Sequence, residues 1–386
     1  MYPIKKLQDC ATIIAGQSPE SKYYNSTGEG IPFFQGKADF GELYPKVRVY
    51  CSSPTKIAQY NDILLSVRAP VGPTNLSPGT VCIGRGLAAI RPDDSLDLKY
   101  LLYYFRYFET QLSAKGTGTT FKAINQKLIK NLEIPIPPLN EQFRIVARIE
   151  ELFSELDKAV DTLKTTKEQL EVYRQAVLKE IFDSVSTTSV HIKDVCLDIK
   201  VGIVIKPTQY YVSENGVPAF RNANVRRGYI NDTDWVMISK EGHQQNCRSE
   251  VHTNDVLISR SGANLGMASV VPARYNGYNA IDVVIAVPDI SKVIPEFLAQ
   301  YTNSPMGRAI VKKNERGAAQ GHLNVSAYAN LPIGVPDLQE QEKLVKQISD
   351  RLSVCDSIEK TVDTALAQAD AMRQSILKQA FEEGIV

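Results

Sequence analysis

Apolar residues follow a helical pattern in two long stretches of this chain. In residues 139–182, and again in residues 338–381, they recur at steps of three and four, the spacing of a helix that packs in a coiled coil. The two stretches align without a gap at an offset of 199 residues, and 15 of their 44 positions are identical. The pattern predicts two long helices that arose by duplication, each about 66 Å long at about 1.5 Å per residue.

The apolar stripe of each predicted helix needs a partner surface, and the nearest one is the stripe of the other copy. We therefore expect the two helices to pack against each other. The residues predicted to form this seam are Val146, Ile149, Phe153, Leu156, Leu163, Leu170, Val345, Ile348, Leu352, Ile358, Val362 and Met372.

The stretches that precede the helices alternate short apolar runs with Gly, Pro, Asn and Ser, as expected of domains rich in strands and loops. They share sequence anchors, since residues 30–36 are echoed by residues 216–222 and residues 61–66 by residues 254–259. Between the anchors they diverge almost completely, as expected of two modules that do the same job on different targets. The predicted division is a domain at 1–138, a helix at 139–184, a second domain at 185–337 and a second helix at 338–386.

Composition places the chain among ordinary cytoplasmic proteins. Of its 386 residues, 43% are hydrophobic and 23% are charged, and no apolar run approaches the length of a membrane span. The N-terminal residues, Met1 to Lys6, lack the hydrophobic region of a signal peptide. The six cysteines are scattered and are expected to be reduced thiols, and the four histidines lack metal-site spacing.

Sequence motifs that would make the chain an enzyme are missing. The loop at residues 116–122 is rich in Gly and Thr, but neither a GxxxxGK[ST] phosphate loop nor a GxGxxG, HExxH or GxSxG motif occurs. An Asn-Pro-Pro-Tyr/Phe element, which an adenine methyltransferase would need, is also missing. We therefore predict a binding protein without a catalytic residue, a metal or a cofactor of its own.

Basic and amide side chains cluster in the divergent loops. A net charge of +1 argues against a general basic surface, so any DNA-binding charge must be local or come from a partner. Arginine can contact guanine with two hydrogen bonds, and asparagine can contact adenine in the same way. The residues predicted to contact DNA are Gln35, Lys37, Arg68, Lys115, Thr117, Thr119 and Lys122 in the first domain, and Arg221, Asn222, Asn224, Arg226, Arg227, Arg260, Ser261, Asn264, Lys313, Arg316, Gln320 and His322 in the second.

The junction that opens each helix resembles a known family. Residues 134–142 read IPIPPLNEQ and residues 333–341 read IGVPDLQEQ. This repeated junction is similar to that of the specificity subunits of type I restriction-modification enzymes, and the likeness covers essentially the whole chain. The second copy departs from the pattern at Gly334 and Asp337, where the first copy has proline.

The resemblance implies an α+β fold with two mixed α/β target recognition domains, separated by two long antiparallel helices that form a coiled coil with a pseudo-two-fold internal repeat. Each domain would read one half of an interrupted double-stranded DNA target. Two methyltransferase subunits would dock on the chain and methylate adenine with S-adenosylmethionine, and translocase-nuclease subunits would join for restriction. None of that chemistry would reside in this chain, and helices of this length allow half-sites at most about 20 base pairs apart.

Two other hypotheses remain open at this stage. The chain could be a coiled-coil scaffold whose globular domains bind proteins, although loops rich in Arg, Asn, Lys, Gln and Thr favour base edges over protein pockets. It could also be a nuclease or a self-contained methyltransferase. A test of the purified chain with DNA and either S-adenosylmethionine or a divalent metal would distinguish that enzyme class.

Overall fold

The computed structural model describes residues 2–116, 123–185, 189–309 and 322–383. The chain folds into two compact units. Unit 1 comprises Met1–Leu163 and Thr364–Val386, and unit 2 comprises Lys164–Asp363. Each unit therefore combines one strand-rich domain with one part of each long helix.

The two predicted long helices are confirmed, and a π-helical turn, Gln379–Glu383, follows the second. The main helices are α1 (Leu98–Ala114), α2 (Gln126–Lys130), α3 (Leu139–Asp183), α4 (Lys240–Gln245), α5 (Pro295–Asn303), α6 (Val325–Ala329) and α7 (Leu338–Lys378). The strands are β1 (Ile4–Lys6), β2 (Ala11–Ala15), β3 (Tyr24–Asn25), β4 (Ile31–Phe34), β5 (Tyr50–Cys51), β6 (Ile57–Ala58), β7 (Ile63–Ser66), β8 (Thr74–Leu76), β9 (Val81–Ile83), β10 (Leu87–Pro92), β11 (Glu133–Pro135), β12 (Ser189–His191), β13 (Cys196–Val201), β14 (Tyr211–Val212), β15 (Val217–Phe220), β16 (Val236–Ile238), β17 (Val256–Ser259), β18 (Ala268–Val270), β19 (Asn279–Ala280), β20 (Val283–Pro288) and β21 (Pro332–Gly334).

Unit 1 contains a four-stranded antiparallel sheet in the order β2-β10-β7-β8 and a five-stranded sheet in the order β3-β5-β4-β9-β6. Only uncharged side chains occur along β7, and the whole strand is buried. Asp97 caps the N-terminus of helix α1, because its side chain accepts a hydrogen bond from the Tyr100 N–H at 2.9 Å. The buried face of α1 presents Tyr100 and Phe105 to the core. The core therefore lies between the four-stranded sheet and α1.

Unit 2 repeats this topology. Its four-stranded antiparallel sheet has the order β13-β20-β17-β18, and a second sheet has the order β14-β16-β15-β19. In each unit the second sheet contains one parallel pair, β4 with β9 and β15 with β19. The structure thus extends the sequence repeat to the strands, including those in regions whose sequences diverge.

A buried glutamine on the first turn of each long helix ties that helix to its domain. Gln142 is fully buried; its Oε1 accepts from the Asp97 N–H at 2.7 Å, and its Nε2 donates to the carbonyls of Ser95 and Pro137. In unit 2, Gln341 is equally buried and makes the same three kinds of hydrogen bond. These contacts explain why the Glu-Gln pair recurs at both junctions.

The predicted packing of the two long helices is confirmed, and their directions are opposed. In unit 1 the N-terminal part of α3 packs against the C-terminal part of α7, where Leu156, Ala369 and Ile376 form an apolar cluster. In unit 2 the C-terminal part of α3 shares a core with the N-terminal part of α7. The predicted seam residues Val146 and Ile149 lie in the main core of unit 1, as Ile348 does in that of unit 2, so the ends of the seam merge with the domain cores.

Two predicted seam residues are wrong, because Ile358 is 41% exposed and Met372 is 53% exposed. Along α7, the residues Ile348, Cys355, Val362, Ala369 and Ile376 are buried at intervals of seven. Ile358 and Met372 lie three residues after two of these positions, Cys355 and Ala369. Four residues after Cys355 and Ala369, the charged side chains of Glu359 and Arg373 contact α3 instead.

The charged positions form cross-helix ion pairs that obey the repeat. In unit 2, Arg174 Nη1 lies 2.6 Å from Asp356 Oδ1, and its Nη2 lies 2.8 Å from Glu359 Oε2. In unit 1, Arg373 pairs with Asp157. Both partners of the second pair are offset by 199 residues from those of the first, so the ion pair was duplicated with the helices.

Candidate nucleic-acid interface

The first candidate site lies in unit 1, where the loop after β4, the loop after β7 and the turn before β10 line a pocket of about 610 Å³. Its exposed polar and basic side chains are Gln35, Lys37, Arg68 and Arg85, and Asp39 lines the same pocket. We call this group the unit 1 site. Its side chains offer donors for base edges and cations for phosphates.

Backbone hydrogen bonds fix the three segments of the unit 1 site. The Gln35 N–H donates to Asp39 Oδ2 at 2.8 Å and closes the first loop, and the Val67 N–H donates to the Gly86 carbonyl at 2.9 Å. A Cβ atom at Gly86 would lie 2.2 Å from the Gln35 carbonyl oxygen. Only glycine therefore allows the turn before β10 to approach the first loop this closely.

The structure brings together three of the residues predicted in the first domain, Gln35, Lys37 and Arg68. It adds Arg85, which sequence reasoning missed although a cation between two glycines before a strand is a recognisable turn signal. Lys115 lies apart, in another pocket, with its Nζ 5.1 Å from the centre of the Phe108 ring. Thr117, Thr119 and Lys122 fall outside the described residues.

The equivalent place in unit 2 is a polar network centred on Asn222. Its Nδ2 donates to Ser261 Oγ at 2.8 Å and to Asp282 Oδ2 at 3.3 Å, and its Oδ1 accepts from Ser259 Oγ and from the Arg260 N–H. These residues follow β15 and β17 and precede β20, as the unit 1 residues follow β4 and β7 and precede β10. We call this group the unit 2 site.

Two more predicted residues belong to the unit 2 site. Arg260 Nη1 lies 2.7 Å from Asp282 Oδ1, and its Nε donates to the Leu323 carbonyl at 3.0 Å. Asn264 Nδ2 donates to the Asn222 carbonyl at 3.0 Å. The network is therefore satisfied internally, and its loops are held in a defined arrangement before any ligand binds.

The prediction that Asn224 contacts DNA is wrong. Its side chain is fully buried; Oδ1 accepts from the Arg221 N–H at 2.9 Å, and Nδ2 donates to the Thr233 carbonyl at 2.9 Å. The amide closes the loop after β15, as Asp39 closes the loop after β4. A base could reach it only if these hydrogen bonds broke, which would leave buried groups unpaired.

The other arginines of the loop after β15 contact protein groups. Arg221 pairs with Asp234 at 2.8 Å, and Arg227 pairs with Glu171 on α3. Arg227 also acts on Arg308, whose pKa is lowered chiefly by burial and then by the positive charge of Arg227. The guanidinium of Arg226 donates to carbonyls of its own loop at 3.2 and 3.5 Å.

His322 is exposed directly after a segment that lies outside the described residues, and Lys313, Arg316 and Gln320 fall within that segment. Among the described residues, no group of three His, Cys, Asp or Glu side chains could hold a metal ion. No helix in the described ranges is long and apolar enough to cross a membrane.

Comparison with known proteins gives a consistent family. The family model of the type I restriction modification DNA specificity domain matches the chain twice, over residues 2–172 and 178–368. A proposed type I restriction enzyme specificity subunit of Methanocaldococcus jannaschii, MjaX, is 42% identical over 167 residues, which are 43% of this chain and 38% of that protein. The type I restriction enzyme EcoBI specificity subunit of Escherichia coli is 25% identical over 313 residues, which are 75% of this chain and 66% of that protein.

The alignments thus span less than two thirds of the length of these two relatives. A solved structure described as the structural basis of complex assembly and conformational transition of the type I R-M system shares the fold. It is 20% identical with a TM-score of 0.72, and the match covers 100% of this chain and 98% of that chain.

Proposed function

The chain belongs to the family of type I restriction-modification DNA specificity (S) subunits, and from this premise we propose that it selects the DNA sequence on which methyltransferase partners act. The observation that carries the proposal is the duplicated site. The same three segments meet in each unit on the same strand framework, yet their polar side chains differ. An interrupted DNA target with two unlike halves requires two recognition domains of the same fold that carry different contact residues.

In unit 1, Arg68 and Arg85 supply forked donors suited to guanine or phosphate, Gln35 supplies an amide suited to adenine, and Lys37 supplies a point charge for phosphate. Their exposed side chains are free to adjust to a duplex. Each half of the target would be read by such contacts from one unit.

In unit 2, the contacts are expected to come from the edge of the Asn222 network. Arg226 keeps guanidinium N–H groups beyond the single nitrogen that contacts its own loop, and Ser261 and Asn264 lie at the edge of the site. Because the network is already assembled, a duplex would meet loops of fixed shape.

The helices α3 and α7 set the spacing of the halves and dock two methyltransferase subunits in this proposal. Support comes from the buried Gln142 and Gln341, which fix each domain to its helix, and from the cross-helix ion pairs. The near-neutral net charge fits a chain whose partners supply part of the phosphate contact. S-adenosylmethionine would be bound by those partners, and translocase-nuclease subunits would join the same complex for restriction.

The proposal is tested by co-expressing the chain with its methyltransferase partner and mapping methylated adenines across the host genome. One interrupted motif with two short halves and a fixed spacer is expected. Arg68→Ala should relax recognition in one half and Arg226→Ala in the other, while Lys5→Ala, on a separate pocket, should leave the motif unchanged. Relaxed recognition of both half-sites by either single substitution would contradict the proposal that each unit recognises one half independently.

The rival enzyme hypothesis is tested with the same material. The purified chain alone, incubated with DNA and S-adenosylmethionine or Mg²⁺, should leave the DNA unmodified and uncut. Methylation or cleavage by the chain alone, retained after further purification, would replace the proposed binding role with a catalytic one.

A further inference from the structure

The two candidate sites differ in how their cations are paired. In unit 2, Arg221, Arg227 and Arg260 each form an ion pair with a carboxylate of the same unit. Their side chains are only 24–31% exposed. Each of these three charges is neutralised within the protein before DNA arrives, and Arg226 is the arginine of the loop after β15 that contacts only carbonyls among the described residues.

In unit 1, Lys37, Arg68 and Arg85 are exposed, and none of their side chains has a hydrogen bond or ion pair within the described residues. Residues 117–122, outside those ranges, read TGTTFK and contain no carboxylate. Asp39 is the acidic residue that lines this pocket, and its Oδ2 accepts the Gln35 N–H. The charge of Lys37 also acts on the Glu109 carboxyl, whereas Arg68 and Arg85 have no carboxylate partner within the described residues. With three cations and two carboxylates, the unit 1 site keeps a net positive charge.

This difference matters because DNA affinity depends on salt through the cations that neutralise phosphates. Each phosphate neutralised by a free cation releases a counterion and contributes about 0.9 to the slope of log K against log salt concentration. An arginine that is already paired with a carboxylate must break that ion pair before it can contact a phosphate. The new contact neutralises the phosphate but leaves the carboxylate unpaired, so the net charge neutralised is small.

Resting on the function proposed above, we propose that the two units divide DNA binding unequally. Unit 1, through Lys37, Arg68 and Arg85, supplies most of the salt-dependent attraction to phosphates. Unit 2 recognises its half of the target through a network whose ion pairs are already formed. The balance of basic and acidic residues in the two domain sequences agrees with this proposal. Residues 1–138 contain 16 Lys and Arg against 11 Asp and Glu, whereas residues 185–337 contain 15 against 13. This count includes the segments outside the described ranges.

The test measures DNA affinity of the full chain, assembled with its methyltransferase partners, over a fourfold range of KCl concentration. The probes are a duplex carrying the mapped motif and a scrambled duplex. The triple variant Lys37→Ala/Arg68→Ala/Arg85→Ala should lower the slope by about 2.7, which reduces the affinity lost over that salt range by about 40-fold. Lys5→Ala, which removes one charge elsewhere in unit 1, should leave the slope within about 0.5.

The matched variants in unit 2 remove an arginine together with its carboxylate, so that no buried charge is left unpaired. Arg227→Gln/Glu171→Gln and Arg260→Gln/Asp282→Asn should each change the slope by less than about 0.5. A loss of about 0.9 from each pair would show that these arginines contact phosphates and would overturn the proposal. The two pairs involve different loops, so a folding defect in one leaves the other informative.

The basic segment of the second domain provides the sharpest counter-test. The triple variant Lys312→Ala/Lys313→Ala/Arg316→Ala should lower the slope by clearly less than the unit 1 triple variant. An equal or larger loss would mean that the units share the salt-dependent term, and the proposal would be wrong. Failure of the proposed function has a different signature, because the parent complex would then not distinguish the motif duplex from the scrambled one.

Discussion

Replacing Gln341 with methionine should destabilise unit 2 by about 3 kcal/mol. The side chain is fully buried; its Oε1 accepts from the Ile294 N–H at 2.8 Å, and its Nε2 donates to the carbonyls of Lys292 and Pro336 at 2.9 and 2.8 Å. Methionine has nearly the same volume, so the cavity cost is small. The substitution leaves one N–H and two carbonyls without hydrogen-bond partners, and each of these groups lowers the free energy of unfolding by about 1 kcal/mol or more.

The same helical turn offers a matched control. Gln339 is exposed, so Gln339→Met makes the same chemical change without breaking a buried contact and should cost less than about 0.5 kcal/mol. The assay is urea denaturation followed by tryptophan fluorescence, because the single tryptophan, Trp235, lies in unit 2. With a urea slope of about 2–3 kcal/mol/M, the Gln341→Met midpoint should fall by about 1 M or more.

Equal midpoints for the two methionine variants would refute the reasoning, since the buried hydrogen bonds would then contribute nothing net. Gln142→Met provides an independent repetition in unit 1, where the same contacts recur. Its effect should be seen in circular dichroism, with Asn140→Met, at the exposed position equivalent to Gln339, as the control.

Two further predictions follow from residues that are equivalent in sequence but differ in their surroundings. Arg174 is 16% exposed and contacts two carboxylates, whereas Arg373 is 36% exposed and contacts one. Arg174→Ala should therefore lower the free energy of unfolding by about 1–2 kcal/mol, and Arg373→Ala should lower it by less than about 1 kcal/mol. Equal losses in urea denaturation would show that the second carboxylate adds nothing to stability. Burial raises the pKa of Asp255, so the folded state favours the protonated carboxyl and its contribution to stability is lost as the pH rises above about 4 and through the folded-state pKa. The Asp255→Asn variant should accordingly be more stable than the parent protein at pH 7 but not at pH 4. By contrast, Asp62→Asn breaks a buried contact with Arg91 at 2.8 Å and should cost about 2 kcal/mol at pH 7. Thermal unfolding at the two pH values checks both variants, and a pH-independent stability difference for Asp255→Asn would contradict its prediction.

The comparison of Asp62 with Asp255 shows where sequence reasoning reaches its limit. Both lie in the shared anchor before a buried strand, and both are almost fully buried. Only the structure shows that Arg91 on β10 compensates the first, because strand pairing brings together residues 29 positions apart. The equivalent position on β20 is Val287, which offers no such compensation.

The candidate sites show the same limit. Residue type pointed to the loops after β4 and β15, because arginine, lysine and amide side chains are suited to bases and phosphates. Residue type could not distinguish the buried Asn224, which closes its loop, from Asn222, which joins three segments. Nor could it indicate Arg85, since a turn joins a site only when the sheet brings its end beside the other loops.

By itself, the sequence determined the two long helices, their duplication and the family, because helical periodicity and a repeated junction are local properties that need no knowledge of the fold. The tertiary structure alone decided which charges are free and which are paired, and which face of each helix is buried. Ile358 and Met372 fit an apolar stripe, yet the packing turns Glu359 and Arg373 toward the partner helix instead. The physical reason is that burial and ion pairing depend on distances between residues far apart in the chain, and only the folded arrangement sets those distances.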